Sequence, residues 1–185
     1  RAVAPNTFNE IEYITIASTG DAKDFGDLTS TRHTMGAAGN QTRGIAVGGN
    51  PSKDTMDFVT IATLGNASDF GDCTTDVWNT RGGNCGNAVR GLMAGGGPGS
   101  SNVIQYVTIA TLGNTVDFGD RTVAKSQIAH MSSTTRAVFA GAGEGDSDVA
   151  DYVQISSTGN ALDFGNLQSN YGYGVGASNG HGGLG

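Results

Sequence analysis

Tyr13, Phe58, Tyr106 and Tyr152 recur at intervals of 45, 48 and 46 residues, and each is followed by a phenylalanine (Phe25, Phe70, Phe118, Phe164) inside an Asp-Phe-Gly-Asp or Asp-Phe-Gly-Asn run. Little of the chain lies outside this pattern. A period of this length holding several short strands predicts a repeat architecture, because one small sheet cannot bury both its faces without like neighbours.

Aligning the copies yields four strand-like segments per unit, ordered from the inside outward. The innermost is rich in Gly, Ala and Ser: 34–39, 83–87, 127–133 and 172–178. The second is led by arginine at Arg43, Arg90 and Arg136, with Arg1–Ala4 as its further copy. The third spans 12–17, 57–62, 105–110 and 151–156, and the outermost carries Asp-Phe-Gly. In the third segment Ile14 and Ile16, Val59 and Ile61, Val107 and Ile109, and Val153 and Ile155 fall on one face, opposite the aromatic. Both faces then need covering, which sister sheets on either side supply. The Gly-Asn or Gly-Asp pairs at Gly20, Gly65, Gly113 and Gly159 predict tight hairpins between the third and outermost strands.

The expected fold is therefore all-β, a β-propeller of four-stranded antiparallel blades. The chain starts on a second strand and ends after an innermost one, so pairing of N- and C-terminal strands is expected to close four blades into a ring and remove the open edge. One domain over 1–178 is expected, with repeats 1–42, 43–89, 90–135 and 136–178, followed by a flexible tail at 179–185.

Glycine, at 31 residues, fits many tight turns and closely packed sheets. A net charge of −7 with only 10 basic residues makes nucleic acid an unsuitable partner. No apolar run approaches membrane-spanning length, so no membrane insertion is expected. Cys73 follows the outermost strand of one blade and Cys85 lies in the innermost strand of the following one, too far apart for a bridge, and both are expected as free thiols.

Arginine followed by a short apolar strand ending in Gly-Gly (Val47-Gly48-Gly49, Ala94-Gly95-Gly96), a loop, an aromatic strand and an outer aromatic resembles the kelch repeat of β-propellers. Phe25 and its counterparts stand where kelch repeats usually carry tryptophan, and the third copy reads Ala140-Gly141-Ala142. The run from Tyr106 to Asn114 with Asp117-Phe118-Gly119-Asp120 is similar to repeats in tail-fibre-like virion proteins of marine cyanobacterial phages, over nearly the whole chain. That resemblance implies a structural or host-adsorption role in a virion or outside the cell, with other virion proteins or a host surface glycan as partner. The alternative is a lectin-like or protein-interaction propeller outside any virion.

Loops between the first and second segments, and between the third and fourth, are uniform. Those joining second to third, and fourth to the next unit, vary, and a meander puts both variable sets on one face, the expected binding face. They comprise 5–10, 51–55, 97–102 and 144–148, and 29–33, 74–81, 122–126 and 168–171. The single Trp78, beside Asp76, Asn79 and Arg81, suits stacking on a sugar ring; sealing the loop against its blade is the plainer role. Asp24, Asp69, Asp117 and Asp163 are expected to accept backbone N–H bonds at a bend, the phenylalanines to fill the core, and Gly26, Gly71, Gly119 and Gly165 to allow the turn. Facing of these acids by Arg43, Arg90 and Arg136 is conceivable. Asp-Phe-Gly invites a kinase reading, but it occurs four times without a companion lysine or catalytic-loop motif. The acids do not match an EF-hand, and no metal or cofactor is expected. His33, His130 and His181 occupy different positions in their units, and no nucleophile, base and orienter converge, so no enzyme is expected.

Overall fold

The computed structural model describes residues 8–51, 54–77, 85–97, 99–143 and 147–178. Arg1–Ala4 and the 179–185 tail lie outside them. The described residues form thirteen strands and no helix, in four antiparallel sheets that follow one another along the chain. The first sheet pairs β1 (Glu10–Tyr13) with β2 (Lys23–Asp27). The second orders β3 (Gly36–Gly39), β4 (Arg43–Val47), β5 (Thr55–Thr60) and β6 (Ser68–Asp72) as consecutive neighbours. The third holds β7 (Arg90–Ala94), β8 (Ser101–Thr108) and β9 (Val116–Lys125), with Gly86 bridging to Gly91 at the innermost position. The fourth is β10 (Ala129–Ser132), β11 (Arg136–Ala140), β12 (Ser147–Gln154) and β13 (Leu162–Tyr171).

Side chains write the uniform turns. Asn40 Oδ1 accepts the N–H groups of Thr42 and Arg43, Asn87 Oδ1 those of Val89 and Arg90, and Ser133 Oγ those of Thr135 and Arg136. This is the local bonding by which Asn and Ser compete with strand ladders and favour turns. Each asparagine keeps an amide nitrogen in hand. Asn40 Nδ2 donates to Ala88 O and Asn87 Nδ2 to Thr134 O, fastening each sheet to the next.

The expected tight hairpins do not form. The third-to-fourth connections are 61–67, 109–115 and 155–161 in the last three sheets, and their Gly-Asn pairs are occupied by the preceding sheet. Gly65, Gly113 and Gly159 donate N–H to the carbonyls of Phe25, Phe70 and Phe118. Asn66, Asn114 and Asn160 accept through Oδ1 from Asp27, Asp72 and Asp120 N–H at 3.0–3.1 Å. The pair is an inter-sheet clasp because an outermost strand offers unpaired backbone groups, and the neighbour's loop satisfies them.

Opposite each phenylalanine the ladder slips by one residue. Met56 pairs with Gly71 but Asp57 with Asp69, leaving Phe70 as the extra residue, and the same β-bulge falls at Phe25, Phe118 and Phe164. The bulged ring stands edge-on to its own sheet's aromatic in all four copies, with centroids 5.7–6.1 Å apart. Gly119 shows why glycine follows it. Its φ is +142°, and a Cβ there would lie 2.4 Å from the Gly159 carbonyl of the next sheet. The acceptor role expected of the motif's first Asp is seen at Asp163, which takes the Gly165 N–H at 3.2 Å.

Burial of both sheet faces follows the two-sided apolar pattern. Ile45, Val47, Met56 and Phe70 of the second sheet meet Met93, Val107 and Ile109 of the third. Leu92, Ala94, Ile104 and Phe118 of the third meet Ala137, Phe139, Val153 and Ile155 of the fourth.

The expected closed ring is not formed. Ile109 and Ile155 are fully buried, whereas their counterparts are 48 % exposed in the second sheet (Ile61) and 95 % exposed in the first (Ile16); Phe118 is 2 % exposed, whereas Phe164 in the last sheet is 55 % exposed. In a closed ring these two faces would cover one another. The terminal innermost segment instead lies along its own predecessor: Ser178 Oγ donates to Ser132 O, just as Gly86 N–H of the third sheet donates to Ser132 Oγ. Tyr173 leads into it with φ +60°, matching Thr34 (+56°) and Gln127 (+54°) ahead of β3 and β10. Neighbouring sheets touch backbone to backbone at the outermost strand as well as along the innermost ones.

Candidate functional site

The residue before each aromatic anchor points to the face that meets the preceding sheet, and there the apolar pattern is broken by Asp57, Gln105 and Asp151, all buried. Each grips the far part of the preceding outermost strand or the segment that leaves it. Asp57 accepts from Thr29 N–H and Oγ1–H and from Arg32 Nη2 at 2.6 Å. Asp151 accepts from Thr122 N–H and Oγ1–H and from Arg121 Nε at 3.0 Å. Gln105 Oε1 accepts from Thr74 N–H and Oγ1–H and from Thr115 Oγ1–H, while its Nε2 donates to Thr75.

Charge is balanced copy by copy. Where the position is aspartate a buried arginine reaches it, from two different places in the preceding segment; where it is glutamine, those places hold Cys73 and Val77. An unpaired buried charge is costly, so acid and base occur together or not at all. Burial lowers the pKa of both guanidinium groups and the neighbouring carboxylates pull it back. Arg121 also lies over the Phe139 ring at 5.9 Å.

The conceivable facing of the Asp-Phe-Gly acids by Arg43, Arg90 and Arg136 is not what the structure shows. Their guanidinium groups lie 4.7–5.0 Å over the Phe58, Tyr106 and Tyr152 rings. Arg43 and Arg90 also donate to the Ile109 and Ile155 carbonyls of the following sheet. These latches have a sequence signal: a polar residue before the aromatic in all four copies of an otherwise two-sided apolar strand, matched in the last three by a threonine after the motif in the unit before.

Described residues at or beside some of the variable connections lie together at one edge of the sheets. His33 and Asn50 exchange backbone bonds at 2.9 and 3.1 Å, Gly49 N–H donates to Val77 O, and Ala142 N–H donates to Tyr171 O. Two of the expected loops are strand instead: 122–125 continue β9, and 168–171 continue β13. Asp76 is exposed on this edge, while Trp78, Asn79 and Arg81 lie outside the described residues.

Other reactive groups are enclosed. Cys73 and Cys85 are free and buried, and desolvation pushes both thiols up to about 12. His130 is buried edge-on to Phe139, its Nε2 3.2 Å from Ala94 O, and burial pulls its pKa down to about 4. Facing a carbonyl, Nε2 carries the proton. An apolar cleft of about 480 Å³ opens between the first two sheets, walled by Ile11, Met35, Ala37, Ala46 and Val59. It lies beside β1, where the other sheets continue inward with further strands. Among the described residues no group of three or more His, Cys, Asp or Glu stands together in a metal-holding cluster, and no helix is long and apolar enough to cross a membrane.

Compared with known proteins, the chain matches no family model and no curated protein.

Proposed function

We propose that this chain is a non-enzymatic virion module, a run of kelch-like propeller blades that presents its variable-loop edge to a host surface glycan or to another virion protein. The observation that supports this reading most is the contrast between the two edges of the sheets. One edge repeats the same asparagine and serine turns, which clasp neighbours, whereas the other gathers the connections that differ from copy to copy. The buried ionisable groups support it too, since Arg32, Asp57, Arg121 and Asp151 are engaged in holding sheets together. Variation concentrated on loops over a rigid scaffold is the arrangement that recognition surfaces use.

A carbohydrate-binding propeller outside any virion is the second reading, favoured by the close sequence spacing of Trp78 with Asp76, Asn79 and Arg81. Binding of the intact chain to a glycan array and to whole host cells tests both. Trp78→Ala and Arg81→Ala are expected to weaken binding with the melting temperature unchanged. Binding to sugars but to no host cell favours the second reading, and variants that lose stability together with binding contradict a surface site.

A further inference from the structure

One small pocket recurs in register along the uniform edge of the sheets. In the third sheet it is about 120 Å³, walled by Tyr106, Thr108, Thr111, Gly113 and Asn114; in the fourth it is about 180 Å³, walled by Tyr152, Gln154, Ser157, Gly159 and Asn160 at the same five places. The first sheet repeats it at about 210 Å³ around Tyr13, Ser18 and Gly20. Each pocket lies inside the connection from the third strand to the outermost one. Ile109 N–H donates to Val89 O and Ile155 N–H to Thr135 O, so these connections share an edge with the asparagine and serine turns. The variable loops leave from the other ends of the strands.

Backbone groups and amide oxygens already hold each connection in shape. Thr111 N–H donates to Thr108 O and Gly113 N–H to Phe70 O, while Asn114 Oδ1 accepts the Asp72 N–H; Ser157, Gly159 and Asn160 make the same three bonds in the fourth sheet. Tyr106 is fixed too, with the Arg90 guanidinium 4.7 Å over its ring and Phe118 edge-on at 5.7 Å, and Arg136 and Phe164 hold Tyr152 in the same way. What remains is a set of unengaged polar groups. Among the described residues, the hydroxyls of Tyr106 and Tyr152, the amide nitrogens of Asn114 and Asn160, and the hydroxyls of Thr108 and Ser157 have no hydrogen-bond partner. Held in a concave site before any ligand arrives, such groups bind at little cost in ordering.

Ligand chemistry follows from the lining. No charged residue walls the pockets of the third and fourth sheets, so a phosphate, carboxylate or ammonium group would be desolvated there without a counter-charge. Leu112 and Val116 in one, and Leu162 in the other, add a small apolar wall. Donors and acceptors beside methyl groups match a carbon ring that carries hydroxyls, and the space admits one such ring, being well below the roughly 300–1,000 Å³ of sites for drug-sized ligands. We propose that the third and fourth sheets each bind one neutral hexose unit in this pocket, with the tyrosine hydroxyl and the asparagine amide as its hydrogen-bond partners. Phe58 replaces the tyrosine in the second sheet and removes the hydroxyl, and Asp21 and Lys23 bring charge to the first, so the assignment is to the last two. The site is separate from the variable-loop edge and does not depend on what that edge binds.

Amide NMR shifts of the intact chain, titrated to high millimolar concentration with glucose, galactose, mannose and N-acetylglucosamine, test this, with sialic acid and glucosamine as charged controls. At least one neutral sugar is expected to move amides of 108–116 and 154–162 together, and the charged controls to leave them still. Tyr106→Phe combined with Tyr152→Phe copies the native Phe58, so the melting temperature is expected to hold while affinity falls about two- to tenfold, the worth of one hydrogen bond. Trp78→Ala, in a variable loop, is expected to leave these shifts unchanged, which separates this site from the loop edge. Stationary amides with all four neutral sugars, an equal response to the charged controls, a double variant that binds like the wild type, or loss of the shifts in Trp78→Ala would each overturn the proposal.

Discussion

Arg121 at the outermost strand of the third sheet donates its Nε–H to Asp151 of the fourth at 3.0 Å, with neither side chain exposed to solvent. The pair is a fastening whose value depends on being complete. Arg121→Leu leaves a buried carboxylate uncompensated and is expected to cost about 3–5 kcal/mol. The double change Arg121→Leu with Asp151→Gln copies the neutral arrangement around Gln105 and should recover most of that loss. Urea denaturation of both singles and the double checks it; simple additivity would contradict the latch.

Glycines of the same motif separate the strain of a conformation from the room around it. Gly165→Ala meets only the unfavourable positive φ, worth about 1–2 kcal/mol. Gly119→Ala meets that strain and the Gly159 carbonyl as well. The added overpacking is expected to cost a further ~1–3 kcal/mol, visible as a lower urea midpoint than that of the Gly165 variant.

Acid should weaken the fold through His130. Its folded pKa of about 4 lies below the ordinary 6.5, so between those values the unfolded chain binds the extra proton and stability rises with pH. The contribution is complete above pH 6.5, is lost progressively as pH falls to about 4, and amounts to roughly 3 kcal/mol across that window. His130→Gln, which keeps a donor toward Ala94, should flatten the curve within the window. The difference between the wild-type and variant stability profiles is the measurement, and identical slopes would contradict a buried neutral imidazole.

Thiol chemistry reports the same enclosure. With both cysteines buried and their pKa values raised to about 12, neither should react with a thiol reagent at neutral pH while the chain is folded, and both should react once it is denatured. Fast labelling of one thiol in the native state would mean that its junction opens.

The repeat made much of this architecture legible in the sequence. Period, strand order and two-sided burial all follow from the aromatic anchors and the aliphatic pairs, because those residues act locally on strand and face. What escaped was set by contacts between units. Gly65-Asn66 has the composition of a tight hairpin, but its amide oxygen goes to Asp27 of the sheet before. Arg43 has the look of an acid's partner, but its guanidinium covers Phe58. Ring closure depends on the angle between neighbouring sheets, which no single unit's residues encode. The loop site rests on Trp78, Asn79 and Arg81, whose setting the described residues do not include.

The account turns on sister sheets covering one another along an array with two uncovered ends. Phe118→Ala and Phe164→Ala make the same change in the same motif, once inside the array and once at its end, so the most direct measurement is the unfolding free energy of both at a concentration where the chain is a single copy. The account predicts a loss of about 3–5 kcal/mol for Phe118 and under about 1 kcal/mol for Phe164. Equal losses at the two positions would contradict it, since they would mean that the last sheet is covered as fully as those within.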